Sequence, residues 1–250
     1  MGTSGASRQV FGSQRQSDDG PVISRLTTQD SHGRPHLPSA PAETANRLTA
    51  SAESGHPLTL TGTLNGLWAQ DAATGSPCLQ IAERTGAVLQ GEKTRLSARL
   101  HVLVGLWVRH LAACASGLNI TSVQLGVDGQ AVFKPLTPDA ARNILQKLTQ
   151  TYAYAWAQPL PLACKTAWAY LLAERQNQAL ADAGKPTKDP HDAARDAFEG
   201  GQRGGERAES AYLQRAFASY DALADALPSW AQELYGDLLA HVEVSSGVTA

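Results

Sequence analysis

The chain has 250 residues, 42% hydrophobic and 18% charged, with 21 Lys plus Arg against 23 Asp plus Glu for a net charge of -2. This fits one ordinary globular domain with a tail, and the near-neutral balance excludes a global basic field, so any nucleic-acid contact must be local. No apolar run approaches the roughly 18 uninterrupted residues of a membrane span; even Leu96 to Ala115 carries Arg99, His101, Arg109 and His110.

Cys78, Cys114 and Cys164 lie far apart, without a Cys-x-x-Cys pair or a His at ligand spacing. Neither a disulfide framework nor a zinc site is expected, and a reducing cytoplasm is the plain inference. Arg8, Gln14, Arg15 and Asp18 break the N-terminus before an apolar signal core can form, so export is not expected. Residues 1–50 are rich in Ser, Gly, Thr, Gln, Arg and Pro and read as a disordered tail. The tail holds five of the basic and four of the acidic residues, so it is no basic arm. His32 and His36 lack Cys or carboxylate partners and read as part of a solvated loop.

From Pro57, Leu58, Leu60, Gly62 and Leu64 alternate with Thr59, Thr61, Thr63 and Asn65, the period of a half-buried strand. Turn formers from Asp71 to Pro77 lead into Cys78–Glu83, the returning strand of a hairpin. Leu96, Leu100, Leu103, Val104, Trp107, Leu111 and Cys114 recur at helical spacing, and Val102, Leu106 and Val108 widen the stripe, so this helix must be largely buried. Gly117 closes it. Ile120–Leu125 and Ala131–Phe133 flank Asp128-Gly129 as a second hairpin. Thr137-Pro138 opens a long helix that Pro159 and Pro161 end. Further helices follow at 163–183, around His191–Phe198, and from near Pro228.

The glycine-rich stretch Gly200–Arg207 lacks a Gly-Lys-Ser/Thr ending and follows a helix rather than a strand, so it is not a nucleotide loop. Arg203 and Arg207 are candidates for a nucleic-acid backbone, against the simpler reading of a mobile, solvated loop. No Gly-x-Ser-x-Gly elbow occurs. His101 and His110 read as rim or core histidines of the buried helix rather than general bases, and Lys165 as a helix-start residue.

Leu-Trp-Val-Arg-His-Leu-Ala-Ala-Cys-Ala-Ser-Gly (106–117) and Phe-Lys-Pro-Leu-Thr-Pro-Asp-Ala-Ala (133–141) resemble the gamma subunit of exodeoxyribonuclease V, RecC. Tyr-Ala-Trp-Ala-Gln-Pro-Leu-Pro-Leu (154–162), Cys-Lys-Thr-Ala-Trp-Ala-Tyr-Leu (164–171) and Gly205-Glu206 with Ser210–Phe217 continue the resemblance in order. It covers about residues 55–243 and only the C-terminal domain of a longer subunit; the tail before Ser51 does not look like the family. A RecC-like domain over 51–250 is therefore expected.

The resemblance implies an α/β, restriction-endonuclease-like core of the PD-(D/E)XK type with a degenerate active site, followed by a helical half. An active site of this type needs an acid after a Gly-x-apolar step and an acid-x-Lys in the next strand, to hold Mg²⁺ and activate water. Here Gly62-Thr-Leu-Asn65 and Glu83-Arg-Thr85 stand in those places, so Asn65 and Thr85 supply neither the carboxylate nor the cation. The resemblance further implies scaffolding of RecB-like and RecD-like subunits and guidance of duplex DNA ends or forks in double-strand break repair by recombination. ATP and Mg²⁺ then belong to the partner subunits, with no cofactor in this chain. A strand-separating pin is implied too, with the hairpin Leu67–Leu79 and Trp68 as candidates; Trp68 packed on Leu79 is the alternative. Arg84, Lys93, Arg95 and Arg99 form a local basic cluster, for phosphate contact or as a solvated helix start. The competing readings are an active Mg²⁺-dependent nuclease using Glu83 with Asp71 or Glu92, and an interaction domain that never touches DNA.

Overall fold

The computed structural model describes residues 64, 67–69, 77–91, 96–200 and 204–247. The predicted strand from Pro57 to Asn65 lies outside these residues except for Leu64, which is buried.

Five strands form one mixed sheet: β1 (Leu67–Ala69), β2 (Cys78–Glu83), β5 (Ile120–Gly126), β6 (Gly129–Phe133) and β7 (Val242–Ser246), side by side in that order. β1 and β2 form the first hairpin, with Trp68 opposite Leu79. β5 and β6 form the second, with Gly126 opposite Gly129 across the Val127-Asp128 turn. Between the hairpins, β2 and β5 run parallel, with Cys78 opposite Ile120 and Glu83 opposite Leu125. A parallel pair needs a crossover, which is supplied by α1 (Leu100–Ala115). The two hairpins therefore merge into one sheet whose inner face the buried helix covers.

Leu100, Leu103, Leu106, Trp107, His110, Leu111 and Cys114 bury α1 on that face. Ile120, Ala131 and Phe133 meet them from the strands, and Trp107 lies 4.9 Å from Phe133 between ring centroids. A fully buried Leu is worth about 1.5–3 kcal/mol, so this seam is the main cohesive element of the sheet half. The helix starts at Leu100, later than the periodicity from Leu96 suggested. Ser97–Ala98 (β4) instead pairs antiparallel with Leu89–Gln90 (β3) as a small ribbon, because the Arg99 amide donates to the Val88 carbonyl at 2.8 Å. Gly117, at φ 86°, ends α1 as expected.

The helical half contains α2 (Pro138–Ala157), α3 (Cys164–Asp182), α4 (Pro190–Glu199) and the short α5 (Glu206–Glu209), α6 (Ala211–Ala216) and α7 (Asp221–Ala224). α8 (Leu227–Ala231) follows, then a π turn (Gln232–Gly236) and α9 (Asp237–His241). Thr137 caps α2, its Oγ1 accepting from the Ala140 amide at 3.3 Å. Asp189 caps α4. Trp168 on α3 donates its indole N–H to the Ala98 carbonyl at 2.8 Å, joining the two halves. The helix from near Pro228 is thus interrupted by a wider turn and then runs straight into β7. That strand was not anticipated: Val-Glu-Val-Ser-Ser is short, and it becomes a strand because the free edge of β6 accepts it.

Candidate nucleic-acid interface

The inner sheet face carries a buried polar line. His110 Nε2 lies 3.1 Å from the Lys134 carbonyl and Nδ1 lies 3.0 Å from the Ser122 hydroxyl, so both ring nitrogens face a polar partner. Ser122 Oγ is in turn 3.2 Å from Gln80 Oε1. Burial pushes the His110 imidazole down to about 4. This histidine is a satisfied core group, wedged beside Trp107 and Phe133.

The outer face is more open. Trp68 is 63% exposed although it stands opposite Leu79, itself 36% exposed. Ile81, Val123 and Val132 form a direct row across β2, β5 and β6 on this same face. Alternation puts Glu83 there as well, at the exposed end of β2, while Gln80 and Ala82 point inward beneath α1. Thr85 is exposed beyond the strand end, and Asn65 lies outside the described residues. Asp71 and Glu92 also lie outside them. Among the described residues no three His, Cys, Asp or Glu side chains come together as a metal ion would require.

At the N-terminal end of α1 three cations and one carboxylate act on His101. Partial desolvation of its ring lowers the His101 pKa, and Lys165, Arg84 and Arg99 push it further down, with Glu209 opposing. Three fixed cations therefore lie within electrostatic reach of one imidazole. No acidic residue occupies the first turn of α1. The predicted basic residues are not equivalent. Arg84 is exposed, whereas Arg99 donates Nε–H to the Leu89 carbonyl at 2.8 Å and so also holds the ribbon. Lys165 was read only as a helix-start residue; it joins the cluster from α3 while its Nζ is paired with Glu209. Lys93, Arg95 and Arg203 lie outside the described residues.

The ribbon is tied to the β5–β6 turn through Asp128, whose carboxylate accepts the Val88 and Leu89 amides at 2.8 and 3.0 Å. Desolvation is the largest single influence on the Asp128 carboxyl and raises its pKa, but the backbone hydrogen bonds from Val88, Leu89 and its own amide, with the Arg99 charge, together outweigh it and hold the carboxyl below its ordinary pKa. Turn, ribbon and cationic cluster are thus one connected unit.

The glycine-rich stretch acts as a backbone crossing where its ends are described. A Cβ on Gly205 would lie 2.3 Å from the Phe198 carbonyl oxygen, and one on Gly200 would lie 2.1 Å from the Gly205 nitrogen. This close approach aims Glu206 at α3, which has no side-chain cap of its own. The Glu206 carboxylate accepts the Lys165 and Thr166 amides and the Thr166 hydroxyl. The anion position at that helix start is filled from within the chain, and Gly205, at the described flank of the loop, is buried.

These features define a mixed α/β domain whose five-stranded sheet is covered by helix on one side and in which Arg84, Arg99 and Lys165 lie near His101. The chain belongs to the RecC C-terminal domain family, whose model matches residues 24–175. The match reaches back before Ser51, into the segment that the resemblance left out, and stops short of the 205–217 blocks. No curated protein sequence matches the chain. RecC is a non-catalytic subunit of exodeoxyribonuclease V, which relates this chain to RecBCD-type complexes. Among the described residues no helix is long and apolar enough to cross a membrane.

Proposed function

We propose that this domain is the non-catalytic C-terminal part of a RecC-like subunit that scaffolds its partners and guides duplex DNA during break repair. The observation that carries the DNA part is the placing of Arg84, Arg99 and Lys165 near His101, three cations against the one opposing charge of Glu209, with no acid in the first turn of α1. Such a cluster suits phosphate oxygens, whose contacts position a duplex without reading its sequence. Leu79, opposite Trp68, precedes Arg84 by five residues of extended chain, about 16 Å. That span corresponds to roughly five base-pair steps, which suits an aromatic wedge at a duplex end with its phosphates held behind it.

The scaffolding part draws on exposed apolar surface. Tyr152 and Trp156 at the end of α2 are 57% and 76% exposed and touch edge to face, the kind of aromatic anchor found at protein interfaces. The degenerate nuclease core, with Asn65, Glu83 and Thr85 in the catalytic positions, belongs to the same proposal, and ATP and Mg²⁺ chemistry to partner subunits.

The test is a pull-down with RecB-like and RecD-like subunits beside a salt titration of fork-DNA binding. Capture of a partner and salt-sensitive binding support the proposal. Mg²⁺-dependent cutting by the isolated chain overturns it in favour of an active nuclease, and partner capture without DNA binding reduces it to scaffolding.

A further inference from the structure

An open cleft lies where the C-terminal part of α2 meets α8 and the π turn. Gln150, Thr151 and Tyr154 form one wall and Ser229, Trp230 and Glu233 the other. The Tyr154 and Trp230 rings sit 5.2 Å apart at 32°, tilted against each other, so they make one shared aromatic floor rather than a slot between two faces. Tyr154 is 41% exposed, so this floor is open to solvent. Trp230 and Glu233 are three residues apart on one side of the helical turn, which brings a carboxylate to the edge of the floor.

Charge decides what such a cleft accepts. Glu233 is the single charged residue of the lining, and it pairs with no base among the described residues. The two bases of α2 are engaged elsewhere, Arg142 with Asp139 at 2.8 Å and Lys147 with Asp237 at 3.0 Å, and α8 and the π turn contain none. Aromatic faces beside an unneutralised carboxylate repel phosphate and draw a cation. Of the side-chain cations a guanidinium fits best: it is planar and weakly hydrated, so it lies flat on a ring while its N–H fork reaches a carboxylate, whereas an ammonium is compact and strongly hydrated. The Gln150 and Ser229 side chains add acceptors for the remaining N–H groups. We propose that this cleft receives an arginine side chain of a partner protein, the guanidinium stacked on the Tyr154–Trp230 floor and paired with Glu233. The inference is independent of the DNA reading, and its test uses guanidinium probes rather than RecB-like or RecD-like subunits, so either can fail without the other.

The test is titration of the full chain with N-acetyl-arginine N-methylamide, read at the Trp230 indole N–H resonance, which is assigned by its loss in Trp230→Phe. A saturable shift is expected. The lysine counterpart should bind about threefold or more weakly, and the citrulline counterpart, which keeps the planar shape and loses the charge, should give no saturable shift. Glu233→Gln and Tyr154→Ala should each weaken the arginine probe about threefold or more. Glu233→Gln changes no buried group, and unchanged far-ultraviolet circular dichroism shows that each variant is folded. Absence of a saturable shift overturns the proposal, as does equal binding of the lysine or citrulline probe or an affinity that both variants leave unchanged. Free arginine binding about tenfold tighter than the blocked probe also overturns it, because recognition of the free amino and carboxylate groups would assign the cleft to an amino acid rather than to a protein side chain.

Discussion

Glu206 caps α3 through Thr166: one carboxylate oxygen accepts both the Thr166 amide, at 2.8 Å, and the Thr166 hydroxyl, at 2.9 Å. The contact spans 40 residues of sequence, and without it the amides at the start of α3 have no capping side chain.

Glu206→Ala should therefore cost about 2 kcal/mol of stability, at the upper end for loss of a helix cap. Chemical denaturation of the variant beside the parent chain measures it. The emptied position should also admit an anion, so inorganic phosphate should raise the melting temperature of Glu206→Ala by more than that of the parent.

His110 predicts an acid-sensitive fold. Its folded-state pKa, near 4, lies below the ordinary 6.5, so the unfolded chain binds the proton more readily. The associated stability is fully present above pH 6.5 and is lost as pH falls from 6.5 towards 4, to a total on the order of 3 kcal/mol. Urea unfolding midpoints across this interval should fall with acid in the parent chain, and the slope should flatten in His110→Gln.

Asp128→Ala removes the acceptor for two backbone amides that hold the ribbon. A loss of about 1–2 kcal/mol is expected, with faster hydrogen exchange at Val88 and Leu89. The Asp128 carboxyl is depressed, so its contribution is present above the ordinary carboxylate range and is lost as pH falls through the lowered value.

Gly129→Ala should detach β7. Gly129 has φ 152°, and an added Cβ would sit 2.2 Å from the Ser245 carbonyl oxygen, a backbone contact that no rotamer relieves. Loss of amide protection over Val242–Ser246, with α1 still protected, would show that the edge strand alone has been released.

Arg84→Ala is the cleanest test of the cationic corner, because Arg99 also bonds the ribbon and its removal would confound binding with stability. If Arg84 contacts one phosphate, the slope of log affinity against log salt for duplex DNA should fall by about 1. An unchanged slope would remove Arg84 from the interface.

Much of the local structure was legible in the sequence because it depends on near neighbours. The period of Leu103, Trp107, Leu111 and Cys114 specifies a buried helix, Asp128-Gly129 a hairpin turn, and Thr137-Pro138 a helix start, each through contacts a few residues apart. The family blocks around α1, α2 and α3 are legible for the same reason, being continuous runs.

What only the tertiary structure decided depends on partners far apart in the chain. The parallel union of β2 with β5, the addition of Val242–Ser246 at the β6 edge, and the Glu206 cap on α3 each join segments through backbone or carboxylate groups whose side-chain pattern does not announce a distant partner. The cationic corner is of this kind too. Arg84, Arg99 and Lys165 come from a strand end, a helix cap and a second helix, and only folding brings them, with Glu209 opposing, within electrostatic reach of His101.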